Sequence, residues 1–118
     1  MASTMEGNGA LSGAVIVLLP AEIDMTNAEH VAARLRDAIA SGAHTVVADL
    51  TETTFCDSAG IRGLTLVHQR AAESGSRLNL AVTADSPVGR VLTLMDLTSV
   101  LHIYPSVHAA AAAATAGG

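Results

Sequence analysis

Four short runs rich in apolar residues, "AVIVLLP" from Ala14, "TVVADL" from Thr45, "RLNLAV" from Arg77 and "LHIY" from Leu101, are each followed by a helix-patterned segment. Short apolar runs bounded by Gly, Pro or Ser read as strands, and runs without alternation as strands covered on both faces. Strands and helices alternating at this spacing imply a largely parallel sheet joined by right-handed crossovers. The expected order is β-α-β-α-β-α-β-α: an α/β fold with a mostly parallel four- to five-stranded sheet and alternating helices.

The helical segments carry their own start and stop signals. Thr26-Asn27-Ala28-Glu29 fits a capping box, with Ala28, Val31, Ala32, Leu35 and Ile39 on one face and Ser41-Gly42 as the stop. The second helix is expected to bury Ile61, Leu64, His68, Ala71 and Ala72 and to end at Ser74-Gly75. In "RLNLAV", Leu78, Leu80 and Val82 alternate onto one face. Ser86 then offers an N-cap with Pro87 in the first helical position, before a Val88, Val91, Leu92, Met95 stripe. Pro105 ends the last strand, and the alanine-rich stretch from Ser106 to about Thr115 is a strong helix former. Residues 1–13 lack apolar periodicity and read as a flexible leader with a weak edge strand near Leu11, leaving 14–116 as the folded body.

A chain of 118 residues supports one domain. With no Trp, one Tyr and one Phe, its core must be aliphatic. The formal charge of −5 argues against a nucleic-acid partner, whose binding face concentrates Lys and Arg. A single cysteine, Cys56, forms no internal disulfide, no signal-peptide pattern opens the chain, and the alanine tract at 109–114 is far too short to span a bilayer. A cytoplasmic protein without direct membrane insertion is the expectation. The histidines at 30, 44, 68, 102 and 108 lack metal-ligand spacing, so no metal or cofactor is predicted, and His68 reads as a hydrogen-bonded core or boundary residue.

The junction "TFCDSAGIRGL" after the second strand concentrates the polar chemistry. Ser58 can cap the following helix by accepting from the N–H of Gly60 or Ile61, and Asp57 can do the same one residue earlier. Only one side chain occupies an N-cap, so the other is left for a partner. Gly60 and Gly63 fall in the first turns, where glycine costs roughly 0.5–1 kcal/mol relative to alanine, which calls for a close approach by something else. A nucleophile elbow would need glycine two residues before Ser58, where Cys56 stands, and the fingerprints of a phosphate loop or a dinucleotide site are absent.

"VVADLTETTFCDSAGIRGL" resembles the central signature of the STAS domain, and "LPAEIDMTNAEHV" is similar to the family's acidic segment ahead of its first helix, with Ala21 where glycine is usual. The resemblance spans about Ala14 to Ala112 and implies a single STAS-like domain. This fold is shared by bacterial anti-sigma factor antagonists, stressosome subunits and cytoplasmic parts of some anion transporters.

The resemblance implies partner switching in transcription regulation, stress responses included. The unmodified antagonist binds an anti-sigma factor with serine kinase activity and frees a sigma factor. Phosphorylation of the motif serine, Ser58 here, ends the binding, and a serine phosphatase resets it. Asp24, Asp57, Ser58, Ala59, Gly60 and Arg62 are the expected partner-binding residues, with Arg62 one helical turn from Ser58. Such a protein is a binding module and no enzyme, and a monomer or weak dimer. The alternatives are a STAS subunit of a membrane ABC transport complex, a stressosome-like scaffold, and a Ser58-dependent hydrolase.

Overall fold

A computed structural model describes residues 8–11 and 13–116. In chain order its elements are β1 (Asn8–Leu11), β2 (Ala14–Leu18), β3 (Glu22–Ile23), α1 (Ala28–Ala40), β4 (Thr45–Asp49), β5 (Phe55–Cys56), α2 (Ser58–Glu73), β6 (Arg77–Ala81), α3 (Pro87–Leu94), a 3-10 turn (Leu97–Ser99), β7 (His102–Tyr104) and α4 (Val107–Ala116). The main sheet runs β1-β2-β4-β6-β7, with β1 antiparallel and the rest parallel. The edge strand foreseen near Leu11 is therefore present within the expected leader, and residues 1–7 and 12 lie outside the described residues.

Because the parallel strands follow chain order across the sheet, successive right-handed crossovers all land on one face. That face carries α1, α2 and α3 over one aliphatic cluster, which includes Val17, Leu19, Leu35, Val46, Leu50, Leu64, Leu78, Leu80 and Leu92. The opposite face carries α4 over a smaller cluster of Ala14, Val47, Ala81, Ala110 and Ala111. Alanine on both sides of that contact lets the helix seat closely on the strands. Buried Asn79 fixes it there: its amide donates to the Ala110 carbonyl at 3.0 Å, and its carbonyl accepts from Arg77 Nε at 2.8 Å. Arg77 in turn donates to the Tyr104 hydroxyl at 2.8 Å.

Most of the expected faces are realised, with shifts at the helix margins. Helix α1 buries Val31, Ala32, Leu35 and Ile39 as foreseen and adds Ala38. On α2, Val67 takes the buried place expected of Ala72, which is exposed. On α3, Val88 and Leu92 are buried while Met95 stands 50% exposed, because the helix ends before a left-handed Asp96 (φ 59°) turns the chain. Helices α1 and α2 stop where expected, at Gly42 and Gly75, whose φ values of +100° and +75° suit glycine.

His68 is half-buried with its ring edge-on to His102, centroids 5.1 Å apart. The expected hydrogen bond is missing at its enclosed Nδ1, which has no partner among the described residues. Burial, then the charge of Arg77, then His68 hold the His102 imidazole below its ordinary pKa. Folding thus favours the neutral ring: at pH above 6.5 the effect is silent, and as pH falls below 6.5 the unfolded chain takes up the proton first and stability is lost. Urea unfolding at pH 7.5 and 5.5 should show this loss in the wild type and a smaller one in His102→Gln.

Candidate functional site

The chain assembles its candidate site with a second, two-stranded ladder. Strand β3 pairs parallel with β5, Glu22 opposite Phe55 and Ile23 opposite Cys56, past the carboxyl ends of β2 and β4. Further bonds fasten the two segments: Thr53 Oγ1 donates to the Pro20 carbonyl (2.8 Å), the Thr54 N–H (2.8 Å), Thr54 Oγ1 (3.2 Å) and the Phe55 N–H (3.3 Å) all donate to the Ala21 carbonyl, and the Asp57 N–H donates to the Ile23 carbonyl (3.0 Å). The ladder brings the Asp24 turn beside the Asp57-Ser58 junction, so two motifs more than thirty residues apart in sequence share one rim.

At the junction the competition for the N-cap is resolved. Asp57 occupies it, Oδ1 accepting from the Gly60 N–H at 3.1 Å. Ser58 is thereby displaced to the first helical residue, exposed, with no hydrogen bond to its hydroxyl among the described residues. Gly60 is buried one turn in, and a Cβ there would lie 2.6 Å from Cys56 Sγ and 2.7 Å from Ile23 Cγ2. The steric reason sought for this glycine is the ladder itself. Gly63 has no such reason: a Cβ would meet the Ala28 carbonyl oxygen and Ala32 Cβ at an ordinary 3.8 Å.

Cys56 is 6% exposed, and burial, then the neighbouring Asp57 charge, push its thiol up to about 11. It acts as a small apolar residue against Gly60 and not as a thiolate. Nucleophilic use of Ser58 would need a base within hydrogen-bond reach of its hydroxyl, and no described residue takes that place.

The first turn of α1 departs from expectation. Thr26 forms no capping box: its hydroxyl donates to Asp24 Oδ1 at 2.5 Å, and its N–H to the same oxygen at 2.9 Å. Asn27 holds the N-cap position without capping, because its Oδ1 accepts from the Asp24 N–H and its amide donates to the Glu22 carbonyl, each at 2.9 Å. Asp24 is the centre of this turn, and the Thr26 hydroxyl, followed by backbone N–H groups, holds its carboxyl below the usual range.

Around Ser58, Ala59 is half-buried and Arg62 exposed, the latter without an ion pair among the described residues. Met25 (80% exposed) and Phe55 (50% exposed) stand on the same rim, and neither was foreseen as a site residue. The signal for Phe55 was its alternation with buried Cys56 in a strand too short to register as periodic. No group of three or more possible metal ligands occurs among the described residues, and no described helix is long and apolar enough to cross a membrane.

Replacing Gly60 by alanine should cost about 1–3 kcal/mol through overpacking against Ile23 and Cys56. Gly63→Ala should be neutral, or stabilising by up to about 1 kcal/mol. Chemical denaturation of both variants checks the contrast.

The fold recurs in solved proteins. An anti-sigma factor antagonist from Mycobacterium paratuberculosis superposes with a TM-score of 0.80 at 20% identity, covering 92% of this chain and 91% of that one. SpoIIAA superposes in its unphosphorylated form with a TM-score of 0.66 at 20% identity (93% and 96% covered) and, as the Bacillus protein, in its phosphorylated form with 0.58 at 21% identity (81% and 86%). The murine anion transporter Slc26a9 matches with a TM-score of 0.65 at 22% identity over 92% of this chain, which spans 18% of the transporter. No curated protein sequence matches the chain. The STAS-domain family model matches residues 6–110, nearly all of the sheet and helices described above, and the chain belongs to the STAS-domain family.

Proposed function

We propose that this protein is an anti-sigma factor antagonist that binds an anti-sigma factor with serine kinase activity, and that phosphorylation of Ser58 switches the binding off. The observation that carries the reading is the division of labour at the α2 N-terminus. Asp57 holds the cap, so Ser58 presents a free hydroxyl in the first turn of a helix, where a phosphate meets unpaired N–H groups and a favourable dipole. A phosphoryl group there adds about 1.5–2 negative charges at the surface without asking the core to change. It would release a partner by charge at the interface while the domain stays folded.

The likeness to solved antagonists, one of them described in phosphorylated and unphosphorylated forms, supports this reading. Exposed Met25 and Phe55 supply apolar contact beside the switch, and Asp24, Asp57, Ala59 and Arg62 complete the docking rim, while Gly60, expected there, is buried against the ladder and serves to seat the turn. In this account the protein is a cytoplasmic binding module and a kinase substrate, not an enzyme, and a serine phosphatase restores it. A transport-complex subunit is the second reading, favoured by the likeness to part of Slc26a9.

Titrating the host's anti-sigma kinases against the wild type, Ser58→Ala and Ser58→Asp tests the two readings. Antagonist function predicts that Ser58→Ala keeps its affinity and accepts no phosphate from ATP, while Ser58→Asp binds at least about tenfold more weakly, near 1.4 kcal/mol. Equal binding by all three, or binding to none of the kinases, would contradict it.

A further inference from the structure

A groove of ≈ 560 Å³ runs between α1 and α2, and Ser58 stands beside one of its lining residues, Ala59. Its floor is small, with Ala28, Ala32 and Gly63 among the lining residues, so another backbone can approach closely. Met25 and Leu66 border it at 80% and 50% exposure, two of the large apolar side chains this chain leaves in water. Two neighbouring helices over a small-residue floor present the ridges and groove that accept a third helix at an ordinary interaxial distance of about 8–10 Å.

The charge of the groove runs against that of the chain. There is no lysine, and three of the six arginines, Arg36, Arg62 and Arg70, line the groove with only Glu29 and Glu73 opposing them. The groove thus carries one net positive charge, while the rest of the chain sets three arginines against nine carboxylates. Glu29 is held by Arg36 at 2.6 Å, whereas Arg62 and Arg70 make no ion pair among the described residues.

We propose that this groove seats an amphipathic helix of the partner protein, its apolar face on Met25 and Leu66 and its acidic flank against Arg62 and Arg70. That the partner is the anti-sigma kinase rests on the reading above. The placement also connects the two sites. A phosphate on Ser58 lies at one end of the groove and repels the acidic flank of the seated helix, so the same charge that leaves the fold intact weakens docking.

The test uses the full chain, labelled with ¹⁵N, and a synthetic amphipathic peptide of about four turns with leucines at i, i+3, i+4 and i+7 and glutamates on both flanks. A second peptide carries lysines in place of the glutamates. The glutamate peptide should shift the amide signals of Ala28, Ala32, Gly63, Leu66 and Val67 saturably, and the lysine peptide should not. Leu66→Asp and Arg70→Glu, each checked for native circular dichroism, should weaken the effect at least tenfold, while Arg90→Glu, an exposed arginine outside the groove, should leave it unchanged. Shifts that map elsewhere, or equal binding of both peptides, overturn the groove.

A parallel titration with the anti-sigma kinase separates the two readings. If Ser58→Asp loses the kinase and Leu66→Asp keeps it, the groove is not the partner's seat and the switch stands. If no kinase binds while the glutamate peptide still does, partner switching fails and the helix-binding groove stands.

Discussion

The rim of this protein depends on the fastening of one helical turn. Four residues in two short strands, Glu22-Ile23 and Phe55-Cys56, form a ladder outside the main sheet, and the first turn of α2 presses on it through the bare Cα of Gly60. That contact fixes where α2 begins. With the start fixed, Asp57 falls on the N-cap and Ser58 on the first helical residue, so one side chain satisfies the backbone and its neighbour is released from that duty. A helix starting one residue later would give Ser58 the cap and leave no free hydroxyl.

The sheet reinforces the same division between frame and surface. Its parallel strands follow chain order without reversal, so it has no topological switch point of the kind where open α/β sheets form their ligand crevice. What the carboxyl ends of the strands carry instead is a rim of exposed Met25, Phe55 and Ser58, tied down by the Thr53 hydroxyl and by backbone N–H donors of Thr54 and Asp57.

Much of this was legible in the sequence, for identifiable reasons. The strands "AVIVL" and "TVVAD" announced themselves because both their faces are covered, and Ser86-Pro87 marked the start of α3 because a hydroxyl cap followed by proline has few other uses. The choice between Asp57 and Ser58 was not legible, since either side chain can cap and only the ladder decides. The ladder itself was hidden, because two-residue strands have no period. The capping box at Thr26 misled because Asp24, two residues earlier, offers a charged acceptor to both the hydroxyl and the N–H of Thr26. The Val67 and Ala72 exchange on α2 reflects the rotation of the helix on the sheet, which depends on packing that a helical stripe alone leaves open.

The central claim is that Asp57 caps the helix so that Ser58 can take a charge without disturbing the fold. The most direct measurement compares the amide NMR spectrum and thermal midpoint of the chain bearing phosphoserine at position 58 with those of the unmodified chain. The account predicts shifts confined to the Asp57–Arg62 turn and the adjoining Asp24 turn, and a thermal midpoint changed by no more than about 4 °C, the equivalent of less than about 1 kcal/mol. Shifts spread through β4, β6 and the aliphatic core, or loss of cooperative unfolding, would contradict it.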